Sequence, residues 1–171
     1  FDWTKTNVTP TIFICWGAMA ALYYFYDIPK YPLPRKLFGV FAHRKCNADS
    51  TDPLMRGISD EFHVCHSRHS TVRESDVRKD ARLKILATSH RAGVAISSSL
   101  DHSQIFVLGH MEYDRDTLKK EYERDLAKGL PIEKPFCYFA DKECSKINMN
   151  WSSTANLFYN NWLNFVYQTT P

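Results

Sequence analysis

The sequence predicts an α/β fold whose sheet is partly parallel. Two observations carry this reading, and a third bounds it. Short β-branched and aromatic runs alternate with longer segments of helical character, as in strands connected by helices. Turn signals separate the strand-like runs, at His90–Ala92 and at Asp101–Ser103. The chain has 171 residues, 44% of them hydrophobic, which is enough for the core of one domain.

Taken in order, Thr11–Cys15 reads as a buried strand and Gly17–Tyr26 as a helix rich in Ala and Leu. DIPKYPLP, residues 27–34, carries Pro29, Pro32 and Pro34 and is expected to be irregular. Lys36–Phe41 reads as a strand and AHRKCNADSTDP as a polar loop. Glu61–Cys65 is a short strand that leads into a polar loop, HSRHS. Leu83–Ala87, Gly93–Ser97 and Gln104–Leu108 follow as strands. Asp114–Lys128 is the clearest helix. Leu118, Tyr122 and Leu126 form its apolar stripe, Asp114 or Asp116 can cap its start, and Gly129 sits at a C-cap position. Trp151–Thr169 is a second long helix, apolar at Leu157, Phe158, Trp162, Phe165 and Val166.

The formal net charge is +3, and the basic residues are spread along the chain without a Lys/Arg block. Nucleic-acid and membrane-surface partners are therefore not expected. Five cysteines without a CxxC pair argue against a disulfide framework and for a reducing, cytoplasmic compartment. The apolar run Thr11–Tyr26 is too short to span a bilayer. The chain begins at Phe1 with no charged leader, so no signal peptide is expected, and the missing Met suggests a piece of a longer chain.

Cys15 stands at a strand-to-helix junction. There, helix N–H groups and their partial positive charge favour a thiolate and can hold an oxyanion. Gly17 is expected to let the backbone bend tightly and approach a ligand. This is a cysteine version of the nucleophile elbow; the alternative is a buried structural thiol. A nucleophilic Cys needs a base and the base an orienting group, and VLGHMEYD supplies His110 and Glu112, unless these are merely a turn histidine and a surface glutamate. HVCHSRHS holds His63, Cys65, His66 and His69, but the spacing matches no zinc pattern. A substrate-binding loop fits better, with Ser67 as a donor and Arg68 able to fork onto a carboxylate. Lys36 and Arg124 are candidate anion binders or plain surface charges. Cys15, His66–His69 and His110 all follow predicted strands, the place where α/β sheets gather reactive groups.

These stretches together closely resemble one family. ICWGAMAALYYFYDIPKYPLPRKLFGVF, HSRH, FVLGHMEYDRDTLKKEYERDL and WSSTANLFYNNWLNFVYQTTP occur in the order found in homoserine O-acyltransferases, from about Asp2 to Pro171. The resemblance implies a flavodoxin-like α/β fold, related to class I glutamine amidotransferases, with helices on both faces of the sheet. It also implies that residues 1–171 are the C-terminal portion of a single acyltransferase domain, starting just before the elbow, with the first strands missing. By the same resemblance, an acyl-CoA donor acylates the hydroxyl of L-homoserine for methionine synthesis. Cys15 becomes the acyl-thioester, His110 the proton acceptor and Glu112 its partner, with Lys36, Ser67 and Arg124 binding substrate. No metal or other cofactor is implied, and a homodimer is compatible with the family.

The sequence departs from the family pattern at Met111, where Pro is usual, at Cys65 before the HSR segment, and at Ser152 and Thr154 in WSSTANL; the loop AHRKCNADSTDP looks longer than usual. Acetyl or succinyl as the donor group stays open. Serine O-acetylation by the same machinery is the nearest alternative, because one methylene discriminates by only about 1–3 kcal/mol. A glutamine amidotransferase shares the Cys-His-Glu set but fits the WGAMAAL elbow less well. A non-catalytic ligand- or metal-binding domain using His63, Cys65, His66 and His69 is the alternative of another class.

Overall fold

The computed structural model of the chain describes residues 1–46 and 51–170. Among the described residues, six strands form one mixed sheet: β1 Thr11–Ile14, β2 Tyr31–Lys45, β3 Glu61–Thr71, β4 Leu83–Ser89, β5 Gly93–Ser99 and β6 Gln104–Val107. Their order across the sheet is β1-β6-β5-β4-β2-β3. β1 runs parallel to β6, with Ile14 opposite Val107. The other pairings are antiparallel. The partly parallel order is as expected, but the parallel part is a single pair. β4 and β5 join through the predicted turn, where Gly93 adopts φ +71.

Among the described residues, five α-helices accompany the sheet: α1 Asp2–Asn7, α2 Trp16–Tyr26, α3 Glu74–Lys79, α4 Thr117–Ala127 and α5 Ser152–Thr169. The period-two alternation of β6 separates the two faces. Phe106 packs with Phe13, with Ala18 and Leu22 of α2 and with Val77 of α3. Ile105 and Val107 pack on the other side with Val64, Leu86 and Phe158 of α5. A third cluster, built on Phe38, Val40, Cys65, Leu118, Tyr138 and Trp151, seats α4 against β2 and β3. Helices therefore cover both faces.

Four expectations are corrected. Residues 31–34 are not irregular: β2 starts at Tyr31, and Tyr31 and Pro32 pair with Thr71 and Ser70 across a register shift before Leu37. Proline is tolerated at such a bulge because the ladder hydrogen bonds are interrupted there. β3 continues to Thr71, so HSRHS is a strand and not a loop. AHRKCNADSTDP is not loop throughout, since Ala42–Lys45 belong to β2; its residues 47–50 lie outside the described residues. On α4 the buried positions are Leu118 and Asp125, while Leu126 is 47% exposed. Asp125 is drawn in by ion pairs rather than by apolar contact. Asp116 takes the N-cap position of α4 without a side-chain cap bond, and Gly129 (φ +68) follows its end as expected.

Gly39 shows how β2 accepts the segment that closes over it. Phe136 bridges β2 through Val40 N–H to Phe136 O (2.8 Å) and Phe136 N–H to Phe38 O (2.9 Å). A Cβ on Gly39 would lie 2.3 Å from Phe136 N, and its φ of +136 suits only glycine. Gly39→Ala is expected to cost about 2–4 kcal/mol by adding backbone strain to overpacking. The drop in urea midpoint of the full-length protein, at constant slope, measures it.

Candidate active site

Parallel pairing brings the ends of β1 and β6 to the same edge of the sheet. Cys15 follows β1 immediately, and its N–H donates to Val107 O at 2.7 Å. Cys15 is the N-cap of α2 with φ 49 and ψ −112, a conformation that costs about 1–3 kcal/mol for a residue with a Cβ. The sharp bend expected of Gly17 is therefore carried by Cys15 itself; Gly17 is not among the positive-φ residues, and a Cβ added there would meet open space. Met19 N–H returns to Cys15 O at 3.1 Å, which starts the helix. No side chain caps this end and no acidic residue occupies the first turn. The first-turn amides thus remain available beside the buried thiol.

His110 comes off the end of β6 and is held from the opposite side. Its N–H donates to Cys65 O of β3 at 2.7 Å. Its Nδ1–H donates to Glu112 Oε1 at 2.6 Å, so Nε2 is the ring nitrogen left to interact with Cys15. The ring stacks on Tyr113 with centroids 4.1 Å apart and 14° between planes. Burial disfavours the imidazolium, but the hydrogen bonds and charges of Cys15 and Glu112 outweigh it and raise His110 to about 9. Burial, with Glu121, Glu112 and Cys15 nearby, pushes the Tyr113 phenol up, so it stays protonated. Trp151 Nε1–H donates to Tyr113 O at 3.0 Å and fixes that residue in place.

A second cluster lies beyond Tyr113, built from β2, β3 and α4. Glu121 Oε1 receives Lys36 Nζ at 2.7 Å and Ser67 Oγ at 2.8 Å. Arg124 Nη2 lies 3.6 Å from the same oxygen. Asp125 pairs with Lys36 at 3.3 Å and with Arg124 at 2.7 Å. Lys36, Ser67 and Arg124, which the family resemblance implied as substrate binders, meet around Glu121, a hub that sequence reasoning missed. Its signal was its place three residues before Arg124 on one helix face.

The remaining polar residues of β3 take other roles. Arg68 does not reach out to a ligand. It is buried, and it donates to Ser70 O (2.6 Å), Ala92 O (2.5 Å) and His66 Nδ1 (3.3 Å). Burial lowers Arg68 to about 10 against the opposing pull of Cys15, so it remains a cation near that thiol. With His66 Nδ1 accepting from Arg68, His66 Nε2–H donates to His43 Nε2 at 3.1 Å, and His43 Nδ1–H donates to Phe41 O at 2.8 Å. Burial drives His43 down to about 4 and His66 well below its ordinary value, so both rings are neutral. Burial pushes the Cys65 thiol up. Among the described residues, no three of His, Cys, Asp and Glu converge as metal ligands, so HVCHSRHS does not assemble the metal cluster considered above. No described helix is long and apolar enough to cross a membrane.

The fold is shared with a glutamine amidotransferase of Thermotoga maritima, at a TM-score of 0.61 and 15% identity over 98% of this chain and 65% of that one. It is also shared with a glutamine amidotransferase of Methylobacillus flagellatus, at 0.62 and 13% over 95% and 65%. These define the class, an α/β fold of the class I glutamine amidotransferase type. Within that class the chain belongs to the homoserine O-succinyltransferase family, whose model matches residues 1–171. Curated relatives include the homoserine O-acetyltransferases of Geobacillus sp. strain WCH70, 54% identical over 99% of this chain and 56% of the relative, and of Acetivibrio thermocellus, 51% identical over the same shares. The chain spans about half the length of these relatives.

Gly109 sets the approach of His110 to β3. A Cβ there would lie 2.5 Å from Val64 Cγ1 and 2.8 Å from Cys65 O. Gly109→Ala is expected to cost about 1–3 kcal/mol, because Val64, the Cys65 carbonyl or His110 must shift to admit the Cβ. The drop in urea midpoint of the full-length protein measures it.

Proposed function

We propose that this chain carries the nucleophile, base and acceptor pocket of an acyl-CoA-dependent homoserine O-acyltransferase working through a thioester on Cys15. The observation that carries this reading is the convergence of Cys15, His110 and Glu112 at the shared end of β1 and β6. The names of the relatives favour acetyl as the transferred group.

In the first half-reaction, the Cys15 thiolate attacks the thioester carbonyl. The first-turn amides of α2 face the oxyanion, as preorganised donors do. The acyl–sulfur bond to CoA breaks, and the leaving CoA thiolate takes the proton from the His110 imidazolium. Acylation removes the Cys15 charge that helped raise His110, so the imidazole becomes easier to hold neutral. In the second half-reaction, His110 Nε2 accepts the proton of the acceptor hydroxyl as its oxygen attacks the thioester. The acyl–Cys15 bond breaks, and the thiolate–imidazolium pair is restored. Arg124 suits the acceptor's carboxylate, and Ser67 and Lys36 offer further donors. Glu121 provides the negative charge that an amino acid's ammonium requires. Two successive transfers through one thiol give ping-pong kinetics.

Intact mass of the full-length enzyme after exposure to acetyl-CoA or succinyl-CoA without acceptor tests the scheme. An acyl adduct on the Cys15 peptide, absent in Cys15→Ala and discharged by homoserine faster than by serine, is expected. A folded enzyme that gains no adduct from either donor would overturn the covalent route.

His110→Asn is expected to lower turnover by about 10²–10⁴-fold, the usual loss for a general base. The acylation burst should also follow the imidazolium. Its folded value, about 9, lies above the ordinary one, so the charged form persists through neutral pH and is lost as pH rises through about 9. Stopped-flow release of CoA should therefore hold through neutral pH and fall above about 9. In Glu112→Gln the fall should come at lower pH, because one of the charges that raise His110 is gone.

A further inference from the structure

Lys36 belongs to two features at once. Its ammonium joins the Glu121 cluster, and its side chain also lines a groove of about 860 Å³ between β2 and the segment 130–136. That volume falls within the range of small-molecule sites, roughly 300–1,000 Å³. The floor is aromatic: Phe41 and Phe136 stack with centroids 5.2 Å apart and 22° between planes. Phe136 is clamped to β2 by its two backbone hydrogen bonds, yet 38% of it stays exposed. The rim carries both signs with a basic excess: Arg35, Lys36, Arg91 and Lys134 line the space together with Asp125 and Glu133, and Arg35 is paired with Glu133 at 3.0 Å. The Arg91 guanidinium lies 4.5 Å over the Phe136 ring, and Lys134 Nζ is bonded to a main-chain oxygen, that of Lys142, at 2.8 Å. Neither cation has a carboxylate ion-pair partner among the described residues.

The basic excess suits a ligand with phosphates, and the exposed part of Phe136, whose ring is already covered by Phe41 and Arg91, offers an apolar contact to the rest of it. The groove meets the acceptor cluster at Lys36 and Asp125, and that cluster meets Cys15 through Tyr113 and His110. We propose that the groove holds the phosphoadenosine end of the acyl-CoA donor, with the pantetheine arm passing Lys36 toward Cys15. The proposal rests on the acyl-CoA-dependent reading above; what it adds is where the nucleotide binds. A shared mouth agrees with ping-pong order, because CoA departs before the acceptor enters.

The test uses the full-length enzyme with acetyl-CoA, acetyl-3′-dephospho-CoA and acetyl-pantetheine as donors. Wild type should prefer acetyl-CoA to acetyl-pantetheine in kcat/KM. Arg91→Ala and Lys134→Ala should each cut that preference about tenfold, the usual scale of a lost charge-assisted phosphate contact. Arg44→Ala, an exposed cation paired with Glu61 outside the groove, should retain it. An unchanged preference in both groove variants would overturn the proposal. So would a wild type that uses acetyl-pantetheine as well as acetyl-CoA, and that result would leave the acyltransferase reading standing. No transfer from any donor would remove the acyltransferase reading, and this proposal with it.

Discussion

The site depends first on the hydrogen bond from Cys15 N–H to Val107 O, the last rung of the β1–β6 pair. Because the two strands are parallel, both of their C-terminal ends open at one edge of the sheet. Antiparallel pairing would send the thiol and the histidine to opposite edges. The rung also pins the backbone just where Cys15 turns into positive φ, so the strain is held by a strand on one side and a helix on the other. His110 is constrained in the same manner, between the end of β6 and the Cys65 carbonyl of β3. Rigid elements therefore set where Cys15 and His110 sit relative to each other, and loop chemistry does not.

β3 supplies the rest from a single polar strand. Its main chain anchors His110 through Cys65, and Ser67 meets Lys36 and Arg124 at Glu121. His66 and Arg68 instead belong to a buried chain of hydrogen bonds that ends at Phe41 O. A buried cation costs several kcal/mol unless it is well solvated by the protein. Two carbonyls and an imidazole do that for Arg68, and the neighbouring Cys15 favours its charge further. The neutral His43–His66 pair holds the guanidinium without adding a charge of its own.

The strands after Gly93 and both long helices were legible because periodicity and turn residues act locally. The extension of β2 through Pro32 and of β3 through HSRHS was not. Proline and a run of His, Ser and Arg oppose strand formation locally, and only the pairing of the two strands with each other overrides that. The burial of Asp125 in place of Leu126 was hidden for the same reason, because Lys36, which attracts it, is 89 residues away in the chain.

By itself the sequence determined the class of the fold, the strand-to-helix junction at Cys15 and the His110–Glu112 pair. Each of these is written in neighbouring residues and needs no distant contact. Only the tertiary structure decided that β1 and β6 lie side by side and parallel, and that Glu121 joins Lys36 to Ser67. The tertiary structure likewise placed Arg68 inside the protein and not in the pocket. These outcomes depend on strand order and on which face of a strand is covered, and both are set by packing between segments far apart in the chain.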